Sequence, residues 1–287
     1  MKFDVHFLKE NADDVKKYRE IQRQFEKEGK FNNDVDIVPP ETYFPVDENF
    51  IFIKKGFKNF VKHKFYKMIL NKATKMVNKE LTNLKVVGHE NLKGIKSCII
   101  TCNHISKVDS FAVRASIKKE IMYVASEVNN WKGFLGDTAR NNGYLPLTKI
   151  LNKNVIRKFN EAMEYYLEKK KRKILFYPEQ AMWREEPRPR PLKDGAFHYA
   201  VKHNVPILPL FITFTPKENM IDEQNRLEFS DYTIHILPPI YKKTELNNKE
   251  NVEYMKNENY RLWTETYETT YNKKLKFNIE KEENSNT

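Results

Sequence analysis

From residue 84 to residue 214, short apolar runs alternate with stretches of helical length and spacing, and that alternation leaves few architectures open. The runs are 84–87, 97–102, 121–125, 143–147, 173–177 and 205–214. Between the later ones, residues 111–119, 131–140, 154–171 and 192–202 carry apolar side chains at helical spacing. This rhythm predicts an α/β fold built on a mixed, largely parallel sheet flanked by helices on both sides. Residues 226–237 read as a further strand or hairpin, and 249–274, with Met255, Trp263 and Tyr267, as a closing helix. Sheets of this kind hold their sites just beyond the strand ends.

At 287 residues and 40% hydrophobic, the chain can bury one large domain plus an addition. The reading is an N-terminal amphipathic helical appendage over 1–80, a main domain over 81–277, and a polar tail over 278–287 that is too poor in apolar residues to order. Residues 11–30 place Val15, Tyr18, Ile21 and Phe25 in a thin stripe on a charged helix that docks on the main domain or on another protein, before Pro39, Pro40 and Pro45 break the chain. Over residues 50–81, Phe50, Ile53, Phe57, Phe60, Val61, Phe65, Met68 and Ile69 recur among nine lysines. Such a helix can lie in the interface of an anionic membrane or pack on a core.

The formal charge of +12 suggests an anionic partner: nucleic acid, an acidic membrane surface or a phosphorylated substrate. No basic recognition helix with base-reading residues appears, so a nucleic-acid partner is disfavoured. No run reaches the 18 or so apolar residues that cross a bilayer, and the first residues lack the apolar core of a secretion signal, so the expected location is cytoplasmic, at most resting on a membrane face. Cys98 and Cys102, four apart on one strand, share a face too far apart to bridge and read as buried thiols. A Cys102 nucleophile would need a base that nothing in the sequence marks. No histidine or carboxylate cluster has metal-ligand spacing.

The run 97–102 leads into Asn103-His104-Ile105-Ser106-Lys107-Val108-Asp109-Ser110. A loop leaving a strand can double back and lay the Asp109 carboxylate against the His104 imidazole. A carboxylate on one ring nitrogen fixes the tautomer and leaves the other to take a proton from a hydroxyl. The same residues fit a helix cap, since Ser106 and Asp109 stand in Ser-x-x-Asp spacing.

This block resembles the Asn-His-x-Ser-x-x-Asp block of the glycerolphosphate and lysophosphatidate acyltransferases. Three further blocks have counterparts in the same order: Gly143-Tyr144-Leu145-Pro146-Leu147-Thr148-Lys149, Ile174-Leu175-Phe176-Tyr177-Pro178-Glu179, and Val205-Pro206-Ile207-Leu208-Pro209-Leu210. The resemblance implies transfer of a fatty acyl group from an acyl carrier protein or coenzyme A thioester to the hydroxyl of lysophosphatidate or a related lysophospholipid. It implies His104 as base and Asp109 as its orienter, with no cofactor beyond the thioester co-substrate. Oxyanion donors are expected from backbone amides around His104 or at the next helix start. The absence of Gly-x-Ser-x-Gly argues for direct transfer.

For the acceptor's phosphate the candidates are Lys149, at the family's arginine position, with Arg184 and Lys193. Glu179 matches a glutamate linked to acceptor binding and to holding the site together, and Gln180 follows it where the family has Gly-Thr. Residues 184–191, stiffened by three prolines, read as a lid or a brace. In this family the corresponding N-terminal helices are implicated in membrane association, which implies an anionic membrane surface as partner. The altered third block leaves two alternatives: a different acceptor, or a lipid-surface module that has lost transfer.

Overall fold

The computed structural model describes residues 4–35, 38–118, 120–148, 152–218 and 220–279. Lys149 and all but the first two residues of the predicted tail lie outside these.

The chain begins with a two-residue strand, β1 (Glu10–Asn11), whose last residue caps α1 (Ala12–Lys27) by accepting the amides of Asp13 and Asp14. Gly56, at φ 88°, opens α2 (Phe57–Met76). The helical periodicity predicted from Phe50 therefore starts late: Phe50, Phe52 and Ile53 instead pack as a loop against the core. Next come β2 (Lys85–Val87), β3 (Cys98–Cys102), α3 (Asp109–Ile117), β4 (Ile121–Ser126), α4 (Gly133–Asn141) and β5 (Tyr144–Leu147). Gly143, at φ 96°, sits where an added Cβ would fall 2.9 Å from the Met122 sulfur, so this junction needs a glycine.

Asn152 caps α5 (Lys153–Glu164), and β6 (Lys173–Phe176), α6 (Gly195–Lys202), β7 (Ile207–Thr215), β8 (Arg226–Leu227), β9 (Asp231–Ile236) and α7 (Asn248–Tyr271) complete the chain. The last helix starts at a capping box in which Asn247 and Glu250 satisfy each other's amides.

Seven strands form one sheet in the order β2-β9-β7-β3-β6-β4-β5. Every neighbouring pair is parallel except β7 with β9. Helices cover both faces, as the alternation predicted. On β3 the period of two is plain: Cys98, Ile100 and Cys102 join a cluster with Ala112, Val113 and Ile117 of α3, while Ile99 joins the opposite one with Phe159 of α5 and Phe197 of α6. The region 226–237 is not a hairpin, because β8 pairs with β1 at the other end of the chain.

The N-terminal addition docks on the main domain. Phe31 and Val35 pack with Trp183 and Phe277, so the first and last described segments meet over residues 181–190.

Candidate active site

Strands β3 and β6 are parallel neighbours, so the residues just past their C-terminal ends, His104 and Glu179, emerge at the same sheet edge. Asn103 pins the loop first: its amide donates to the Ile212 carbonyl at 3.0 Å and accepts the Ile212 amide at 2.7 Å. Glu179 then accepts the His104 backbone N–H at 3.0 Å, and the His104 carbonyl accepts the Trp183 amide at 3.0 Å.

The imidazole is fixed separately. Its Nδ1 lies 2.9 Å from Asp109 Oδ2, and the same oxygen accepts the amides of Ile105 at 2.8 Å and Ser106 at 3.0 Å. Asp109 thus serves the loop amides and the ring together, while α3 itself starts after Val108 without a side-chain cap. The Tyr177 ring stacks on the imidazole with centroids 4.0 Å apart and planes 17° from parallel. With Nδ1 donating to the carboxylate, Nε2 carries the lone pair. The imidazole side chain keeps 22% of its surface exposed, whereas Asp109 keeps none.

Burial pushes the Asp109 carboxyl up, while the His104 ring and the two amides pull it back toward ionisation. Burial also raises the Glu179 carboxyl, opposed by Arg190, whose fully buried guanidinium lies 2.8 Å away, and by the amides of Arg190 and His104. Burial, with Asp109 adding to it, pushes the Tyr177 hydroxyl up well beyond its ordinary value.

Among the residues predicted from sequence, His104, Asp109 and Glu179 come together. Glu179 is wholly buried, and its oxygens receive the Arg190 guanidinium and the amides of Arg190 and His104. Gln180 is exposed at φ 65°, a conformation that favours glycine, which explains why the resembling block carries glycine there. Arg184 is buried, with Nε and Nη2 on Glu10 Oε1 at 2.9 and 2.7 Å and its guanidinium over the Tyr18 ring. That fork faces the N-terminal segment. Lys193 is exposed, and its amide donates to the Pro178 carbonyl at 2.9 Å, just past residues 184–191.

Residues 181–190 are a brace. Arg188 binds Glu26 through both Nη atoms at 2.8 Å, and Arg19 pairs with Glu185. Several of the amides expected as oxyanion donors already have partners within the loop. Those of residues 104, 105 and 106 serve carboxylates, that of Val108 binds Ser106 Oγ, and that of Asp109 binds the Ser106 carbonyl. Sequence reasoning missed Asn103, Tyr177 and Arg190. Asn103 and Tyr177 stand within the recognised blocks, whereas Arg190 lies outside them. Cys98 and Cys102 are free and fully buried.

Residues 83–213 match the family described as Acyltransferase. Over 134 residues the chain is 30% identical to the 1-acyl-sn-glycerol-3-phosphate acyltransferase of Saccharomyces cerevisiae, a match covering 46% of this chain and 44% of the yeast protein. The chain therefore aligns with less than half the length of that curated relative. The crystal structure of the 1-acyl-sn-glycerophosphate (LPA) acyltransferase PlsC from Thermotoga maritima superposes with a TM-score of 0.54 at 18% identity, over 77% of this chain and 86% of that one. The α/β fold is shared with that structure.

Proposed function

From the match of residues 83–213 to the family described as Acyltransferase, we propose that the protein is an O-acyltransferase for lysophosphatidate or a related lysophospholipid. The observation that carries this reading is the 2.9 Å contact of His104 Nδ1 with the buried Asp109 carboxylate, beside a partly exposed imidazole. In the proposed reaction Nε2 takes the proton of the acceptor hydroxyl as its oxygen attacks the thioester carbonyl. Asp109 stabilises the imidazolium. The tetrahedral intermediate collapses, the carbon–sulfur bond breaks, and the proton passes from Nε2 to the departing thiolate. The products are an ester and a free thiol. The donor is an acyl carrier protein or coenzyme A thioester, and Lys149, Lys193 and Gln180 stand as candidates for the acceptor's polar end.

Among the described residues no helix is long and apolar enough to cross a membrane. We assign a membrane-surface role to α2 and α4. Phe57 is 81% exposed, Phe60, Val61, Phe65 and Met68 are exposed on the same helix, and Phe134 and Leu135 on α4 extend the patch. Lys58, Lys62 and Lys64 on α2 put ammonium groups within reach of lipid phosphates. The protein would act on the cytoplasmic face of an anionic membrane.

The test is to incubate the purified protein with acyl-coenzyme A or acyl carrier protein thioester and lysophosphatidate on anionic vesicles, and to identify the lipid formed by mass spectrometry. A diacyl product with equimolar thiol supports the reading. Vesicle binding without product favours the second reading, a lipid-surface module, which rests on Gln180, Ala181 and Trp183 in the third block.

A further inference from the structure

Arg190 lies within the matched segment, but its contacts run outside it. Its side chain is buried to 1% exposure, with the guanidinium over the Trp183 ring at 4.8 Å. Nη2 donates to Glu179 Oε2 at 2.8 Å, to the Ala181 carbonyl at 2.5 Å and to the His104 carbonyl at 3.4 Å. Nη1 donates to the carbonyl of Phe31 at 2.7 Å, and the Arg190 amide donates to Glu179 Oε1 at 2.8 Å. Residue 104 is therefore held on its N–H by Glu179 and on its C=O by the Trp183 amide at 3.0 Å with Arg190 as the longer second donor, and Glu179 and Arg190 are bonded to each other.

The N-terminal segment closes this arrangement. The Asn32 side-chain amide donates to the carbonyls of Glu179 and Pro191, both at 3.0 Å, and Trp183 Nε1 donates to the Asn33 carbonyl at 3.3 Å. These residues precede the matched segment by about fifty positions.

We propose that Arg190 is a positioning residue for the His104 base, and that residues 31–33 of the N-terminal segment are part of the same device. The inference rests on the acyl-transfer reading above. A guanidinium is the group this place requires, because its planar fork donates to one carboxylate and three carbonyls at fixed angles, which an ammonium cannot reproduce. Asp109 orients the ring through its side chain, and Arg190 fixes the main chain from which the ring hangs. Neither group touches substrate through this contact, so loss of Arg190 lowers the chemical step and leaves substrate binding.

The experiment compares wild-type protein with Arg190→Lys, Arg190→Met and Asn32→Ala in thiol release from acyl-coenzyme A with lysophosphatidate on anionic vesicles, with thermal melting run on each. Both Arg190 variants lower kcat by about 30- to 100-fold, the scale of a base displaced by about 1 Å, while both KM values stay within about threefold. Asn32→Ala lowers kcat by about 3- to 10-fold through the loss of two hydrogen bonds. A folded Arg190→Lys protein with wild-type kcat overturns the inference, because a purely structural ion pair would be satisfied by lysine. If Arg190→Met fails to fold, Arg190→Lys and Asn32→Ala decide the matter, and a wild-type kcat in both overturns it. Wild-type protein that releases no thiol overturns the acyl-transfer reading itself, a different result from turnover that ignores Arg190.

Discussion

Glu179 reaches from the end of β6 to the start of the loop after β3 and accepts the backbone N–H of His104 at 3.0 Å. Its other oxygen takes the Arg190 amide, so one carboxylate ties three parts of the chain together. Removing its charge leaves the Arg190 guanidinium buried without a counter-ion, which costs about 3–5 kcal/mol. Glu179→Gln is expected to lose that much stability in urea unfolding monitored by circular dichroism. A loss below about 1 kcal/mol, the scale of an exposed pair, would contradict the assignment.

The cysteines are expected to be inert. Burial pushes the Cys98 thiol up to about 12 and the Cys102 thiol well above its ordinary value, where Asp109 and Glu179 add to the effect. Both therefore stay protonated at pH 8, and the thiolate is the reactive form. A chromogenic disulfide reagent should titrate neither thiol in the native protein and both in denaturant. Rapid labelling of one thiol in the native state would reopen Cys102 as a nucleophile.

Glu120 binds α2 to the sheet domain in a pH-dependent way. It pairs with Arg172 at 2.8 Å and with His63 and Lys67 of α2. Burial would raise its carboxyl, but Arg172, His63 and Lys67 outweigh burial and hold it below the usual value. A depressed carboxylate contributes stability that is complete above its unfolded value, about 4.3, and is lost as pH falls through the lower folded value. Wild-type Tm should fall below about pH 4.5 more steeply than that of Glu120→Gln. Parallel Tm curves in acid would show that this cluster contributes nothing.

Much of the architecture was legible because burial on both faces writes itself into the sequence. Strand β3 reads Cys-Ile-Ile-Thr-Cys, buried on both sides with Thr101 its one polar member, and α5 carries Val155, Phe159 and Ala162 on one face. The contact between His104 and Asp109 was legible from the motif, since a short loop can bring them together. What escaped was the long-range part. Arg190 looks like one more arginine in a Pro-Arg series, and nothing in its spacing says that it turns inward to a carbonyl at Phe31. The start of α2 was misplaced for a different reason: Phe50 and Ile53 fit helical spacing while serving as loop residues, and Gly56 at φ 88° marks the true boundary. The pairing of Arg184 was not legible either, because charge alone does not show that Glu10, some 170 positions away, takes it up.

The central claim is that an imidazole fixed by Asp109 removes the acceptor's proton. The most direct measurement compares thiol release from acyl-coenzyme A in the presence of lysophosphatidate for wild type, His104→Ala and Asp109→Asn, each verified as folded. The account predicts a kcat drop of about 10³-fold or more for His104→Ala, and of about 10²- to 10⁴-fold for Asp109→Asn, in which the wrong tautomer is favoured. Acceptor-dependent turnover that persists at the wild-type rate in His104→Ala would contradict it.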